Sequence, residues 1–343
     1  MASPNADGTR KWRVTVLISG SGSNLQALLD ASTPSQSSSS SPSSSSSLPL
    51  ANCQITSILS SRSDAYGLTR GRTHVPPIPS EAFPLLRWRK IRSEADAGAD
   101  TSRAAWEQKL AAKIRATRPD VVVLAGWMLI LGEGFLNALV RDWDEPLSPS
   151  PSSPSSSSSS DTPASVDPTG SSISTGLSTP GSSPYSDEIR EGLKGRRIPI
   201  INLHPALPGQ FPGAHAIKDA WDAFNTPVES TLRSSSTAAS EVLSTLDSSA
   251  SSPADASTAT AQPAPRRITK TGLMIHRVIP LLDAGAPIVV KEVPMIEGES
   301  LEDLEGRIHK VEHVALVEAV GEVVRLVREG EWWREEEVGR SDK

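Results

Sequence analysis

Three short runs, CQITSILS (Cys53 to Ser60), DVVVLAG (Asp120 to Gly126) and IPIINLH (Ile198 to His204), are apolar almost throughout rather than alternating. A strand with one face in water alternates with period two. A strand buried on both faces does not, and burial on both faces is the habit of parallel sheets covered by helices. WRVTVLIS (Trp12 to Ser19) adds a strand that stops at Gly20, and helical spacing follows from about Asn24 to Ala31. Thr101 to Arg115 places Trp106, Leu110 and Ile114 four apart, and His215 to Phe224 reads as a further helix. This strand–helix rhythm predicts an α/β fold with a doubly wound, mostly parallel sheet. The last third departs from that rhythm. GLMIHRV (Gly272 to Val278) and PIVVKEV (Pro287 to Val293) flank LLDAGA too closely for a crossover helix, so they are expected antiparallel. A long helix closes the chain, with Ser300 and Asp303 spaced as a capping box and Leu304, Ile308, Val311 and Ala315 as its buried stripe.

The rhythm is interrupted by Ser/Pro/Thr/Ala tracts at 32–50, 148–186 and 230–265. Such composition buries too little apolar surface to offset chain entropy, so disorder is expected there. About 250 of the 343 residues remain, enough for one sizeable core. A single domain over 10–330 carrying three surface insertions is predicted, since loop closure cost rises only logarithmically with length. Residues 331–343 read as a tail.

Charge narrows the partners. Lys and Arg number 34 against 40 Asp and Glu, a net of -6, with no dense basic run, which argues against nucleic acid. No apolar stretch approaches the roughly 20 residues of a membrane span, and the first residues lack the apolar core of a signal peptide. The single cysteine, Cys53, forms no internal disulfide and offers no thiolate cluster to a metal. A cytoplasmic protein with no membrane partner and no metal is expected.

SGSGSNL (Ser19 to Leu25) sits where the first strand hands over to the first helix, so backbone N–H groups converge on one point, as in an anion site. Leu25 stands where a dinucleotide fingerprint needs its third glycine, and the Walker lysine is missing; a single phosphate suits the loop better. A tight turn that merely uses Gly and Ser is the competing reading. In INLHPALPGQFPGAH (Ile201 to His215), Asn202 and His204 are two apart on a strand and so share a face, at the carboxyl end where doubly wound sheets bind ligands. A carboxamide beside an imidazole suits stabilisation of an oxyanion on an acyl carbon. An Asn capping a turn beside a partly exposed His is the plainer alternative. Asp283 in the LLDAGAP loop is placed to pair with His204 and favour its imidazolium, although a lone Asp is often turn chemistry. His276 is a second candidate lining group, with a structural strand histidine as its alternative. No Ser lies in a G-x-S-x-G setting, and Cys53 has no obvious base, so covalent catalysis is poorly supported.

Taken in order, VLISGSGSNLQALLD, SSRSDAYGL, RPDVVVLAGWMLIL, INLHPALPGQFPGAHA, TGLMIHRVIPLLDAGAPIV and EDLEGRIHKVEH resemble the successive motifs of the folate-dependent, monofunctional phosphoribosylglycinamide formyltransferases. The likeness spans nearly all of the chain outside the Ser-rich tracts. It implies the formyltransferase-type Rossmann-like fold and transfer of a formyl group from 10-formyltetrahydrofolate, the co-substrate, to the amine of 5'-phosphoribosylglycinamide. It implies that Gly22, Ser23 and Asn24 hold the ribonucleotide phosphate and that Glu312 contacts the ribonucleotide. It further implies that Arg103 touches the folate and that Met128, Leu129, Ile130 and Leu131 present main-chain groups to the pterin, with Asn202, His204 and Asp283 as the catalytic trio. By residue type alone, Glu312 would read as a solvated acid on a helix face. Leu129 replaces an Arg found in many relatives, Gln210 stands where a Lys is often found, and the Asp283 loop carries one extra residue. Partners are then the two small molecules, in a monomer or at most a weak homodimer.

Two other readings share these residues. A formyltetrahydrofolate hydrolase or another formyltransferase of the superfamily uses the same Asn, His and Asp, but would need an N-terminal regulatory or a C-terminal RNA-binding domain for which this sequence leaves no room. A non-enzymatic folate or nucleotide sensor would need the phosphate loop but not the trio.

Overall fold

The computed structural model describes residues 11–33, 48–141, 195–226 and 268–334. The three Ser-rich tracts fall almost entirely outside these residues. Seven strands form one sheet in the order β3-β2-β1-β4-β5-β6-β7. The first five are β1 (Trp12–Ile18), β2 (Cys53–Ser60), β3 (Ser80–Ala82), β4 (Val121–Leu124) and β5 (Ile200–His204). They run parallel, while β6 (Lys270–Arg277) and β7 (Pro287–Pro294) add antiparallel to β5 and to each other, as the short connection between them requires. The helices are α1 (Ser23–Ser32), α2 (Gly67–Thr73), α3 (Leu85–Ala95), α4 (Arg103–Ala116), α5 (Glu133–Ala138), α6 (Ala216–Asn225) and α7 (Leu301–Arg328).

The continuous apolar runs are explained by two separate cores. Val14, Val16 and Ile18 of β1, with Val121 and Val123 of β4, face α1 and α7, whereas Leu17, Val122 and Leu124 face α4 and α5. Alternation by two sends successive residues to opposite faces, and both faces are dry. On one side Leu25, Leu28 and Leu29 of α1 meet Leu304, Ile308 and Ala315 of α7; on the other lie Trp106, Leu110 and Ile114 of α4. Helix α7 starts as the capping box predicts: the Ser300 hydroxyl accepts the Asp303 N–H at 3.1 Å and donates to the Asp303 carboxylate at 2.6 Å.

Two boundaries need correction. Trp332 and Trp333, placed in the tail by composition, are buried in the core, and the Trp333 indole donates to the Arg197 carbonyl at 3.0 Å. Leu50, assigned to the first tract, is also buried, and its N–H bonds the Ala31 carbonyl. Single large apolar side chains at the edge of a polar stretch pin it to the core whatever the average composition. The chain winds outward from β1 to β3 and returns to place β4 on the other side of β1, so the carboxyl ends of β1 and β4 part around a crevice.

Candidate active site

Three segments leave the carboxyl ends of β1, β4 and β5 and converge on one cleft of about 650 Å³, a volume suited to small ligands. Residues 20–24 form the first wall. Gly22 turns the chain into α1 with φ of 72°, and a Cβ there would lie 2.6 Å from the Gly67 Cα, so glycine is required both by conformation and by space. No side chain caps α1. The N–H groups of its first turn, which have no intrahelical partner in any helix, are therefore without a side-chain cap as well and border the cleft, the arrangement that attracts an anion. Asn24 sits in this turn and donates from Nδ2 to Glu312 Oε2 at 3.0 Å. Both side chains are buried, and Asn24 Oδ1 has no partner among the described residues. Glu312 is thus no solvated surface acid: at 4 % exposure it lines the cleft from α7, with His309 one turn earlier.

The second wall is the trio with His276. His204 Nε2 faces the Phe211 carbonyl at 3.1 Å, and its Nδ1 faces Asp283 Oδ2 at 3.5 Å. Both partners only accept, so a hydrogen on each ring nitrogen satisfies both. His276 Nδ1 donates to the Arg277 carbonyl at 2.9 Å, which leaves Nε2 to face Asn202 Nδ2 at 3.2 Å and Asp283 Oδ1 at 3.6 Å. Burial alone would raise the Asp283 carboxyl. Hydrogen bonding to His276, the charge of His204 and the Gly213 N–H outweigh it and hold the carboxyl below the usual range. Asp283 and Phe211 both adopt left-handed backbone, with φ of 51° and 41°; backbone strain of this kind gathers at functional sites.

The third wall is the turn after β4, residues 126–132. Met128 donates its N–H to the Ser19 hydroxyl at 3.0 Å, and Ser19 bonds Ser61 at 2.6 Å, so the ends of β1 and β2 fix this turn. Met128 and Ile130 are exposed along the cleft, while Leu129 packs against the core beneath. Arg103 lines no part of the cleft. Its guanidinium lies behind the turn, donating to the Ile130 carbonyl and to Glu107.

Gly22, Ser23, Asn24, Met128 to Leu131, Asn202, His204, Asp283 and Glu312 thus come together from five separate stretches of sequence. His276 joins them as the second lining histidine, and Gln210 does not line the cleft. Sequence reasoning missed His309 and Ser19: His309 stands three before Glu312, a shared helix face, and Ser19 merely ends a strand. Cys53 is remote from the cleft lining, with burial, then Asp120, pushing its thiol up to about 12, which removes it as a nucleophile. Among the described residues no group of His, Cys, Asp and Glu could hold a metal ion, and no helix is long and apolar enough to cross a membrane.

A crevice at a strand-order reversal, walled by an uncapped helix start and an Asn–His–Asp cluster, suits an α/β enzyme of the acyl-transfer type. The formyl transferase family model matches residues 12–142 and 260–320. Phosphoribosylglycinamide formyltransferase of Schizosaccharomyces pombe is 30% identical over 311 residues, 91% of this chain and 96% of that protein. Its counterpart in Saccharomyces cerevisiae is 30% identical over 319 residues, 91% of this chain and 97% of that protein. The chain belongs to the phosphoribosylglycinamide formyltransferase family. The fold is shared with the crystal structure of glycinamide ribonucleotide transformylase 1 from Symbiobacterium toebii, at 22% identity and a TM-score of 0.50 over 93% of this chain and 89% of that one.

Proposed function

We propose that the protein transfers the formyl group of 10-formyltetrahydrofolate to the amine of 5'-phosphoribosylglycinamide, working in the cytoplasm on these two small molecules as a monomer or weak homodimer. The observation that carries this reading is the convergence of an unsatisfied helix start at Gly22 to Asn24 with the Asn202–His204–Asp283 cluster on one cleft. The ribonucleotide phosphate sits on the first-turn N–H groups of α1. The Asn24–Glu312 pair holds the body of the same substrate, with Asn24 Oδ1 as a ready acceptor. The pterin lies against the turn Met128 to Leu131 and takes its main-chain groups. Arg103 completes the folate side, through its hold on that turn.

The amine nitrogen attacks the formyl carbon, and the carbonyl electron pair moves onto oxygen. Asn202 carries two amide hydrogens, and one of them serves the oxyanion. His204 Nε2–H meets only a main-chain carbonyl, so it can exchange that partner for the oxyanion while Asp283 compensates the ring charge. Collapse breaks the bond between the formyl carbon and N10. N10 gains the one proton that the amine loses, relayed through His204 and Asp283 by water. The protein's contribution is thus placement, charge stabilisation and this proton relay, with no covalent intermediate.

An absorbance assay with 10-formyltetrahydrofolate, run with and without the ribonucleotide and beside His204→Ala, tests the reading. Folate turnover that requires the ribonucleotide and vanishes in the variant supports it. Turnover without the ribonucleotide would make the protein a hydrolase, and binding of both ligands without turnover would make it a sensor.

A further inference from the structure

The turn after β4 is held from behind by one helix. The first five residues of α4 carry three side chains that reach three points of it. Trp106 stacks on Trp127 with ring centroids 6.4 Å apart. Arg103 donates to the Ile130 carbonyl. Glu107 accepts the Gly132 N–H at 3.3 Å and, on the same oxygen, the Arg103 Nε–H at 3.0 Å. A carboxylate that is 6 % exposed is expensive to bury without partners, and among the described residues its hydrogen-bond partners both belong to this clamp. Gly132 completes the fit, because a Cβ on it would lie 2.8 Å from Glu107 Oε2. The far side of the turn is fixed by the Ser19 hydroxyl on the Met128 N–H. The clamp therefore consumes the Ile130 carbonyl and the Gly132 N–H. It decides which main-chain groups of the turn remain for a ligand and where they point.

We infer that Glu107 is a positioning residue for the formyl donor: through Arg103 and Gly132 it holds residues 128–132 in the conformation that receives the donor's ring system. This rests on the assignment of that turn to the donor. Glu107 touches neither substrate nor the reacting atoms, so its effect falls on donor affinity rather than on the chemical step.

The test is steady-state kinetics of Glu107→Ala, Glu107→Gln and Gly132→Ala in the full chain, beside hydrogen exchange of residues 128–132 measured without substrates. Glu107→Ala should raise KM for the formyl donor about tenfold, the order expected of one charge-assisted hydrogen bond, with kcat within about twofold and the KM for the ribonucleotide unchanged. Glu107→Gln keeps an oxygen that can accept both N–H groups and should restore most of the loss. Gly132→Ala should displace the carboxylate and reproduce the donor effect more weakly. Exchange at Ile130 to Gly132 should quicken in Glu107→Ala without a general rise elsewhere. A folded Glu107→Ala with unchanged donor KM would overturn the inference, as would equal losses in kcat and both KM values with exchange raised throughout. If the wild type lacked folate turnover while the local exchange response held, the clamp would stand and its tie to the donor would fall with the reading of the cleft. If the exchange did not respond, the clamp itself would be wrong.

Discussion

Asn24 and Glu312 lie 288 positions apart and share a hydrogen bond of 3.0 Å that closes the cleft between the first helix and the last. Its consequence is that the first turn of α1 and α7 act as one wall. Glu312→Gln preserves shape and acceptor oxygen but removes the charge beside Asn24 Nδ2. It should raise KM for the ribonucleotide about tenfold with little change in donor KM, as loss of a charge-assisted bond would. Glu312→Ala should cost more, since it also leaves the Asn24 amide buried and unpaired. Equal KM values in wild type and both variants would remove Glu312 from the ribonucleotide site.

Asn202→Ala removes the amide that faces His276 and the cleft. Loss of one oxyanion donor lowers kcat about 10² to 10³-fold, and that is the expected drop, with the fold intact by circular dichroism. A variant retaining more than about a tenth of wild-type kcat would take Asn202 out of the oxyanion role.

Asp283 sets a pH dependence. Its carboxyl is depressed in the folded protein, so the unfolded chain binds more protons as acid is added, and stability falls with falling pH. The contribution is complete above the unfolded value near 4, and disappears as pH drops through the lower folded value. Asp283→Asn should therefore flatten the acid side of a Tm-against-pH curve below about pH 5. The same variant should lose turnover, about 10²-fold or more, because His204 Nδ1 then faces an uncharged partner. Near wild-type turnover, or an unaltered acid slope, would refute the pairing.

The strands β1, β2, β4 and β5 were legible because their runs are apolar at successive positions, and the two-core arrangement is what such runs demand, whereas the three polar-edged residues of β3 left no such signal. The trio was legible in part: the spacing of Asn202 and His204 places them on one face, and Asp283 sits in a turn too tight to hide it. Its geometry was not legible, since the contacts that fix His204 come from Phe211 and Asp283, whose left-handed backbone no residue type announces. Helix α3 left no periodic signal because Arg87, Arg89, Lys90 and Arg92 interleave with its apolar residues and none of its side chains is buried. Glu107 looked like any helix acid, and only the fold brings Gly132 against it. Trp332 and Trp333 lie between Glu331 and Arg334, with a run of acids beyond, so composition assigned them to the tail, yet two large apolar side chains outweigh that setting.

Gly22→Ala should be disproportionately damaging for the addition of one methyl group. The residue holds φ of 72°, which costs an L side chain of order 1–3 kcal/mol. The added Cβ would also meet the Gly67 Cα at 2.6 Å, and that atom is backbone at the start of α2, so it cannot swing aside. Relief requires α1 and α2 to part, which would tilt the first-turn N–H groups away from the cleft. The expected result is a Tm lower by several degrees, together with a ribonucleotide KM raised by more than the donor KM. Gly20→Ala is the internal control: a Cβ there meets nothing within 4 Å, so the same change two residues earlier should leave stability nearly unchanged. Comparable destabilisation by both substitutions would mean that loop flexibility matters here; loss confined to Gly22→Ala would mean that close approach of the two helix starts sets the shape of this wall of the cleft.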